Sequence, residues 1–250
     1  SEIVERKILF PESMLRDEAI KVIRRPFTKK LSEPGPSGLN IIAEIKRASP
    51  SKGFLRPDLD PAEYAAEYEK GGAAAISVLT DKYFFMAKPD DLIRARESST
   101  LPVLRKDFII SSYQIYETAA MGADALLLIA RILSNEQIKD YLALCGEIGI
   151  DALVEVHSEK DLERASDAGA GLIGINNRNL SSFETDTENA MRISELLEPG
   201  QIAVAASGIT GRRDIEKNLS SGIYNFLIGE SIVRSGNPAE FIKSLLLRSD

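Results

Sequence analysis

Glu44 and Lys46 carry the first chemical signal in the chain. In Asn40-Ile-Ile-Ala-Glu-Ile-Lys46 an extended backbone sets both charges on one face and Ile41, Ala43 and Ile45 on the other. The run gives way to Arg47-Ala-Ser-Pro-Ser-Lys-Gly53, a loop of chain breakers, so the charged pair stands at the carboxyl end of a strand. The arrangement recurs down the chain. Lys106 and Asp107 follow Leu101-Pro-Val-Leu-Arg, Glu155 interrupts Leu153-Val-Glu-Val-His157, and Asn176 and Arg178 follow Leu172-Ile-Gly-Ile. Ser207-Gly208 and Gly229-Glu230 close two further apolar runs. A lone charged pair at a strand end is ordinary solvated surface. A carboxylate inside a central strand, as at Glu155, is costly unless it is paired. A structural ion pair to Lys46 or Lys106 would satisfy it, and so would a functional site. Several ionisable groups converging on one end of a sheet shift one another's pKa, which favours the functional reading and suits the site to proton transfer.

The elements that must position these residues follow from periodicity. Apolar runs of strand length lie at 41–45, 74–79, 101–104, 125–129, 152–156, 172–175, 202–205 and 225–228, separated by amphipathic segments of helical period. Asp60 before Pro61, Asn237 before Pro238, Ser134 and Ser158 are expected helix caps. Glycines tend to end the helices just ahead of the next strand. Strands apolar on both faces imply a parallel sheet covered by helices. A doubly wound sheet is the rival, but the loop after the first strand has the spacing of neither a dinucleotide fingerprint nor a P-loop. The repeat count closes a (βα)8 barrel, whose site belongs at the carboxyl ends of its strands. The expected organisation is therefore α/β: a TIM barrel over 41–250, preceded by a short helical extension over 1–40. The basic cluster of Lys21, Arg24, Arg25, Lys29 and Lys30 in that extension reads as a solvated face, with a role in closing the mouth of the site as the alternative.

Composition narrows the function classes. The 250 residues carry a formal net charge of -7, which argues against non-specific nucleic-acid binding. A single cysteine, Cys145, excludes an intrachain disulfide framework and points to a reducing, cytoplasmic setting. It falls within a helical segment and reads as a packing residue. One histidine leaves no room for a His-based zinc site, and no Cys/His ligand spacing is present, so no metal is expected. No apolar stretch reaches membrane-spanning length and no secretory signal heads the sequence. A monomer is expected.

The last two strand ends carry a separate signal. Glycines at 208 and 229, with a short helix starting near Ser231, would present backbone N–H groups to a phosphate, as loops in this part of a barrel often do. Tight turns alone would also account for them.

The motifs Ile42-Ala-Glu-Ile-Lys-Arg-Ala-Ser-Pro-Ser-Lys-Gly53, Leu104-Arg-Lys-Asp-Phe108, Leu153-Val-Glu-Val-His157, Gly174-Ile-Asn-Asn-Arg-Asn-Leu180 and Phe226-Leu-Ile-Gly-Glu-Ser231 together resemble the indole-3-glycerol phosphate synthase family of tryptophan biosynthesis. The resemblance runs from Phe27 onward, with residues 1–25 matching the family's extension loosely. It implies a carboxy-lyase that converts 1-(2-carboxyphenylamino)-1-deoxyribulose 5-phosphate, a phosphorylated anthranilate derivative, into indole-3-glycerol phosphate without a cofactor. It assigns Lys106 as the acid that protonates the substrate carbonyl, with Glu155 and Lys46 as the other proton-handling groups and Glu44 alongside Lys46. Asn176 and Arg178 would orient the substrate, and Ser49 and Pro50 would lie near its carboxylate. Phe85, Phe108 and Leu180 would wall the aromatic ring, and Ser207, Gly208, Gly229 and Glu230 would hold the phosphate. A lowered Lys106 pKa, from Lys46 and burial, would suit the chemistry. His157 is an alternative acid–base group or, preferably, a hydrogen-bonded loop anchor.

Two departures stand out. The second loop reads Lys82-Tyr-Phe-Phe-Met-Ala87 without the family's glycine, and Ala206 stands where the family carries a carboxylate. A related phosphosugar isomerase, a catalytically weak phosphometabolite binder and a partner in a tryptophan-pathway complex are the alternatives. Cys145, placed on a helix, argues against the isomerase of phosphoribosyl anthranilate.

Overall fold

The computed structural model describes residues 2–50, 52–88, 90–178 and 185–247. Eight parallel strands close into a barrel: β1 Asn40–Ile45, β2 Ala75–Leu79, β3 Val103–Lys106, β4 Ala125–Ile129, β5 Asp151–Val156, β6 Leu172–Asn176, β7 Ile202–Ala206 and β8 Asn225–Ile228. Each pairs with its sequence neighbours, and β1 closes the ring against β8 with Asn40 opposite Asn225. Helices follow the strands in alternation, so the expected TIM barrel is the observed one.

The expected helix starts form as chemistry dictates. Asp60 accepts from Ala62 N–H ahead of Pro61, Asn237 accepts from Glu240 N–H, and Ser158 accepts from Asp161 N–H. Ser134 and Gln137 form a reciprocal capping box. Each bond satisfies a donor that the first turn of a helix leaves without a partner.

Strand parity sorts the core into two layers. Ile41, Ala43 and Ile45 of β1 pack outward beneath the helices, whereas Ile42 points into the barrel with Leu104, Leu127, Leu153, Leu172, Val204 and Leu227. Small inner residues, Ala74, Ala75 and Ala125, leave room at the amino end of the barrel, and Phe27 and Leu31 from the helix Phe27–Leu31 join this inner layer. Both are fully buried. The stopper explains why a five-residue helix precedes β1.

The basic cluster lies at this amino end, not at the mouth. Arg25 donates to the carbonyls of Leu101 and Arg96, and its backbone N–H bonds Asp124 beside the start of β4. Arg24 donates to the Ala19 and Val22 carbonyls, and Lys29 and Lys30 are exposed. The helices Glu2–Leu9 and Glu12–Ala19 dock on the helix Ser112–Ala120. Arg6 pairs with Glu117, and Arg16 stacks over Tyr116 at 4.6 Å.

Strand β3 departs from expectation. Its apolar residues predict 101–104, but the strand starts two residues later and takes in Arg105 and Lys106. A strand can hold the fully buried Arg105 because its guanidinium is saturated on the outer face. It bonds Thr80 at 3.0 Å, Glu117 at 2.8 Å, Thr118 at 2.9 Å and Asp107 at 2.9 Å.

Candidate active site

Two residues on from Ile42, Leu104, Leu153 and Val204, the same parity brings Glu44, Lys106, Glu155 and Ala206 to the carboxyl end of the barrel, with Asn176 two on from Gly174. They face a cavity of about 800 Å³. Glu44 and Lys46 form an ion pair at 2.9 Å, and Lys106 stands 3.7 Å from Glu155. The four side chains are 4 to 18% exposed, so their charges face one another through protein more than through water.

The electrostatics differ from expectation at Lys106. Burial works against its charge, but Glu155 and Glu44 outweigh that effect and raise its pKa above the ordinary lysine value. The expectation that Lys46 and burial lower it is not met, because the two carboxylates together outweigh the burial. Burial likewise opposes ionisation of Glu44, yet Lys46 and Lys106 hold its pKa below the usual carboxylate range. The wall thus presents Lys106 as an ammonium and Glu44 as a carboxylate.

Asp107, adjacent to Lys106 in sequence, points away from the cavity. Its carboxylate accepts from Thr80 at 2.6 Å, from Arg105 and from the Phe108 N–H. The network anchors both residues flanking Lys106, and it fixes the start of the aromatic wall. Phe108 stacks with Phe85 at 6.5 Å and meets Phe84 edge-on at 6.1 Å. Phe85 ends the helix Lys82–Phe85, capped by Asp81, and Met86 then takes a left-handed turn with φ of 57°. A turn that glycine would make freely is thus made by methionine, at a cost of about 1 to 2 kcal/mol.

The first loop folds back as a hairpin, Ala48–Ser49 against Gly53–Phe54, which places Ser49 and Pro50 at the cavity rim. On the opposite rim Asn176 accepts from the Arg178 N–H, and Arg178 bridges to Thr185. Ser207 and Gly208 both have positive φ, at 69° and 78°. A Cβ at Gly208 would lie 2.6 Å from the Thr185 methyl. Gly229 must lack a side chain for another reason: a Cβ there would strike Glu44 Oε1 at 2.6 Å and Lys46 Cε at 3.0 Å. Glu230 stands between two cations, Arg234 at 3.2 Å and Arg178 at 3.9 Å.

The cavity therefore gathers Glu44, Lys46, Ser49, Pro50, Phe85, Lys106, Phe108, Glu155, Asn176, Arg178, Ser207, Gly208, Gly229 and Glu230. Leu180 lies outside the described residues. Lining residues that sequence reading did not single out include Lys52, Phe84, Thr185, Thr187 and Arg234. Phe84 was accessible from its neighbour Phe85, whereas the two threonines reach the cavity only because the chain returns to it after β6. His157 is not an acid facing the cavity. Its anchoring runs through the backbone, with its N–H bonded to Asp161 and its carbonyl to Asn189, while neither ring nitrogen has a hydrogen-bond partner. Cys145 is buried in the helix Asn135–Ile148, and burial pushes its thiol up to about 12, which removes it from nucleophilic chemistry.

Fold and site together define a (βα)8-barrel enzyme equipped for acid–base chemistry on a small molecule with an apolar ring. The sequence matches the family described as Indole-3-glycerol phosphate synthase over residues 1–245, so the match takes in the N-terminal segment that the motifs resemble only loosely. The chain is 52% identical to the indole-3-glycerol phosphate synthase of Desulfosudis oleivorans over 98% of its own length and 94% of the relative's. It is 50% identical to that of Syntrophobacter fumaroxidans, over 98% and 92%. The chain belongs to the indole-3-glycerol phosphate synthase family. Among solved structures, thiamine phosphate pyrophosphorylase from Pyrococcus furiosus superposes with a TM-score of 0.61 at 15% identity, over 87% of this chain and 95% of that one. A mandelate oxidase variant gives 0.63 at 15% identity, over 96% and 87%. These two likenesses show the fold alone. Among the described residues, no helix is long and apolar enough to cross a membrane.

Proposed function

We propose that this cavity closes the indole ring: it binds 1-(2-carboxyphenylamino)-1-deoxyribulose 5-phosphate and releases indole-3-glycerol phosphate, CO2 and water. The observation that carries the reading is the wall of two lysine–carboxylate pairs, at 2.9 and 3.7 Å, standing beside the Phe85–Phe108 stack.

The anthranilate ring lies against the two phenylalanines, within reach of the barrel wall. Its carboxylate-bearing carbon attacks the ketone carbon of the sugar chain, and the Lys106 ammonium gives a proton to the developing alkoxide. The carboxylate leaves as CO2 and its bonding electrons restore the aromatic ring. Loss of the new hydroxyl as water needs one acid and one base, and Lys46, Lys106 and Glu155 supply them. The sequence of steps is redox-neutral and needs no metal or organic cofactor. Asn176 and Arg178 orient the sugar hydroxyls, with Ser49 and Pro50 near the substrate carboxylate. The phosphate rests on the backbone at Ser207, Gly208, Gly229 and Glu230, where Arg178 and Arg234 offset the Glu230 carboxylate. The protein is read as a cytoplasmic monomer.

One observation favours a slower enzyme within the same class. Ala206 lines the cavity opposite Asn176, at the position where the family resemblance expects a carboxylate. Incubating the full chain with the carboxyphenylamino substrate, and following indole fluorescence together with CO2 release, tests the reading. Both products are expected in equal amounts. Tight binding without either product would instead favour a phosphometabolite binder.

A further inference from the structure

His157 is the one histidine of the chain, and the proposed reaction does not use it. Its ring continues the inward parity of Leu153 and Glu155 but lies behind the cavity wall, with a side chain only 3% exposed. Nε2 stands 3.4 Å from Glu155 Oε1, and neither ring nitrogen has a hydrogen-bond partner. A buried imidazole left in that state is costly, and a shift of a few tenths of an ångström toward Glu155 would relieve it. The backbone on both sides is already fixed, by Asp161 at 3.1 Å and Asn189 at 3.4 Å, so the ring itself is the part left to adjust. Glu155 meanwhile sends its other oxygen, Oε2, toward Lys106 at 3.7 Å.

We infer that His157 is a positioning residue: as the neutral Nε2–H tautomer it donates to Glu155 Oε1 and turns Oε2 toward Lys106. The inference deepens the proposed function and rests on it for its kinetic consequence only. A neutral donor is suited to the task. It orients the carboxylate without competing for its charge, whereas an imidazolium would draw Glu155 away from the lysine. The groups facing the ring are Glu155 and Lys106 from the strands, Arg131 from the turn after β4 and Asp161 from the helix Glu159–Asp167. Burial dominates among these influences and keeps the histidine below its ordinary pKa, with Glu155 and Asp161 opposing and Arg131 and Lys106 assisting. The ring is therefore neutral at pH 7 and becomes a competitor of Lys106 only on acidification.

Because the chain has a single histidine, the full-length protein labelled with 15N-histidine gives one imidazole to observe without overlap. Long-range 1H–15N correlation should show the Nε2–H tautomer at pH 7, with an ionisation that moves when Glu155→Gln is introduced. The Nδ1–H tautomer, or an ionisation indifferent to Glu155→Gln, would overturn the inference. In turnover, His157→Leu should lower kcat about tenfold, the scale of one hydrogen bond to a charged group, with little change in KM. His157→Gln carries an amide donor in place of Nε2–H and should recover most of that loss. It should also remove the acid-side decline that follows the histidine's own ionisation. An unchanged kcat in His157→Leu, or no recovery in His157→Gln, contradicts the inference. Should the leucine variant fail to fold, the glutamine variant and the spectra still decide. If the unsubstituted protein forms no product, the proposed function fails, and the spectra alone decide the contact between His157 and Glu155.

Discussion

At the amino end of the barrel, Asp124 accepts from the N–H groups of Arg25 and Val103 and from the Arg96 guanidinium, and Asp151 accepts from the Thr28 N–H. Asn40 and Asn225 bond each other across the closing seam, and Phe27 and Leu31 fill the space between them and the inner core. At the carboxyl end, Glu44, Lys46, Lys106 and Glu155 are almost as buried but face an open cavity; Glu44 and Lys46 pair at 2.9 Å, whereas Lys106 stands 3.7 Å from Glu155. The two ends hold similar residue types in similar burial. What separates them is whether the partners are fixed by backbone or left available to a third party. Fixed partners make charge a structural element, whereas looser ones leave proton affinity to be used.

Substitutions at the two ends should therefore separate rate from stability. Lys106→Ala is expected to reduce kcat by about 10² to 10⁴-fold, the usual scale of general-acid catalysis, while substrate affinity stays within a few-fold. Steady-state kinetics alongside calorimetric titration measures both. Phe27→Ala should cost about 3 to 5 kcal/mol of stability by opening a cavity in the inner layer, with kcat per folded molecule unchanged. Denaturant unfolding reads the first quantity, and activity normalised to the folded fraction reads the second.

The next effect is smaller and lies at the mouth alone. Ala206→Glu would place a carboxylate opposite Asn176, where it can accept from substrate hydroxyls. One charged hydrogen bond is worth roughly 1.5 to 3 kcal/mol, so a rise in kcat/KM of up to about one to two decades is the expected ceiling. A flat or reduced kcat/KM would show that another group already fills the role and that the alanine is an adaptation of this site.

The smallest effect concerns pH. Glu44 has a folded-state pKa below its unfolded value, so the stability that it contributes is present above the unfolded value and is lost as pH falls through the folded one. Thermal melts of the parent and of Glu44→Gln should differ at neutral pH and converge on acidification through that window. A difference that persists at acid pH would assign the stabilisation to packing instead.

How much of this was legible in the sequence depended on what kind of signal each residue left. Parity with a period of two was enough to put Glu44, Lys46, Lys106, Glu155 and Ala206 on one inner face, because strand geometry allows no other choice once an inner apolar residue is known. Asp107 was grouped with Lys106 at the strand end, yet the same parity sends it outward to Arg105. The expected end of β3 falls short because a fully buried arginine looks like a strand terminator until its four partners are known, and all four lie outside the strand. The arginines of the extension gave no sign that they would end on backbone carbonyls at the opposite end from the site. Thr185 and Thr187 left no local signal, since only the return of the chain after β6 brings them to the cavity. The direction of the Lys106 pKa differs from expectation for a physical reason. The sequence shows which charges are near one another along strands, but the balance depends on the two carboxylates that converge from different strands.

The packed amino end of the barrel thus carries stability, while the looser charges at the carboxyl end carry chemistry. The most direct test measures kcat with the carboxyphenylamino substrate and unfolding free energy on the same preparations of Lys106→Ala and Phe27→Ala. A crossed pattern is expected: turnover lost with stability nearly intact in the first, stability lost with turnover per folded molecule intact in the second. Unchanged turnover in Lys106→Ala, or parallel losses of both quantities in the two variants, would contradict it.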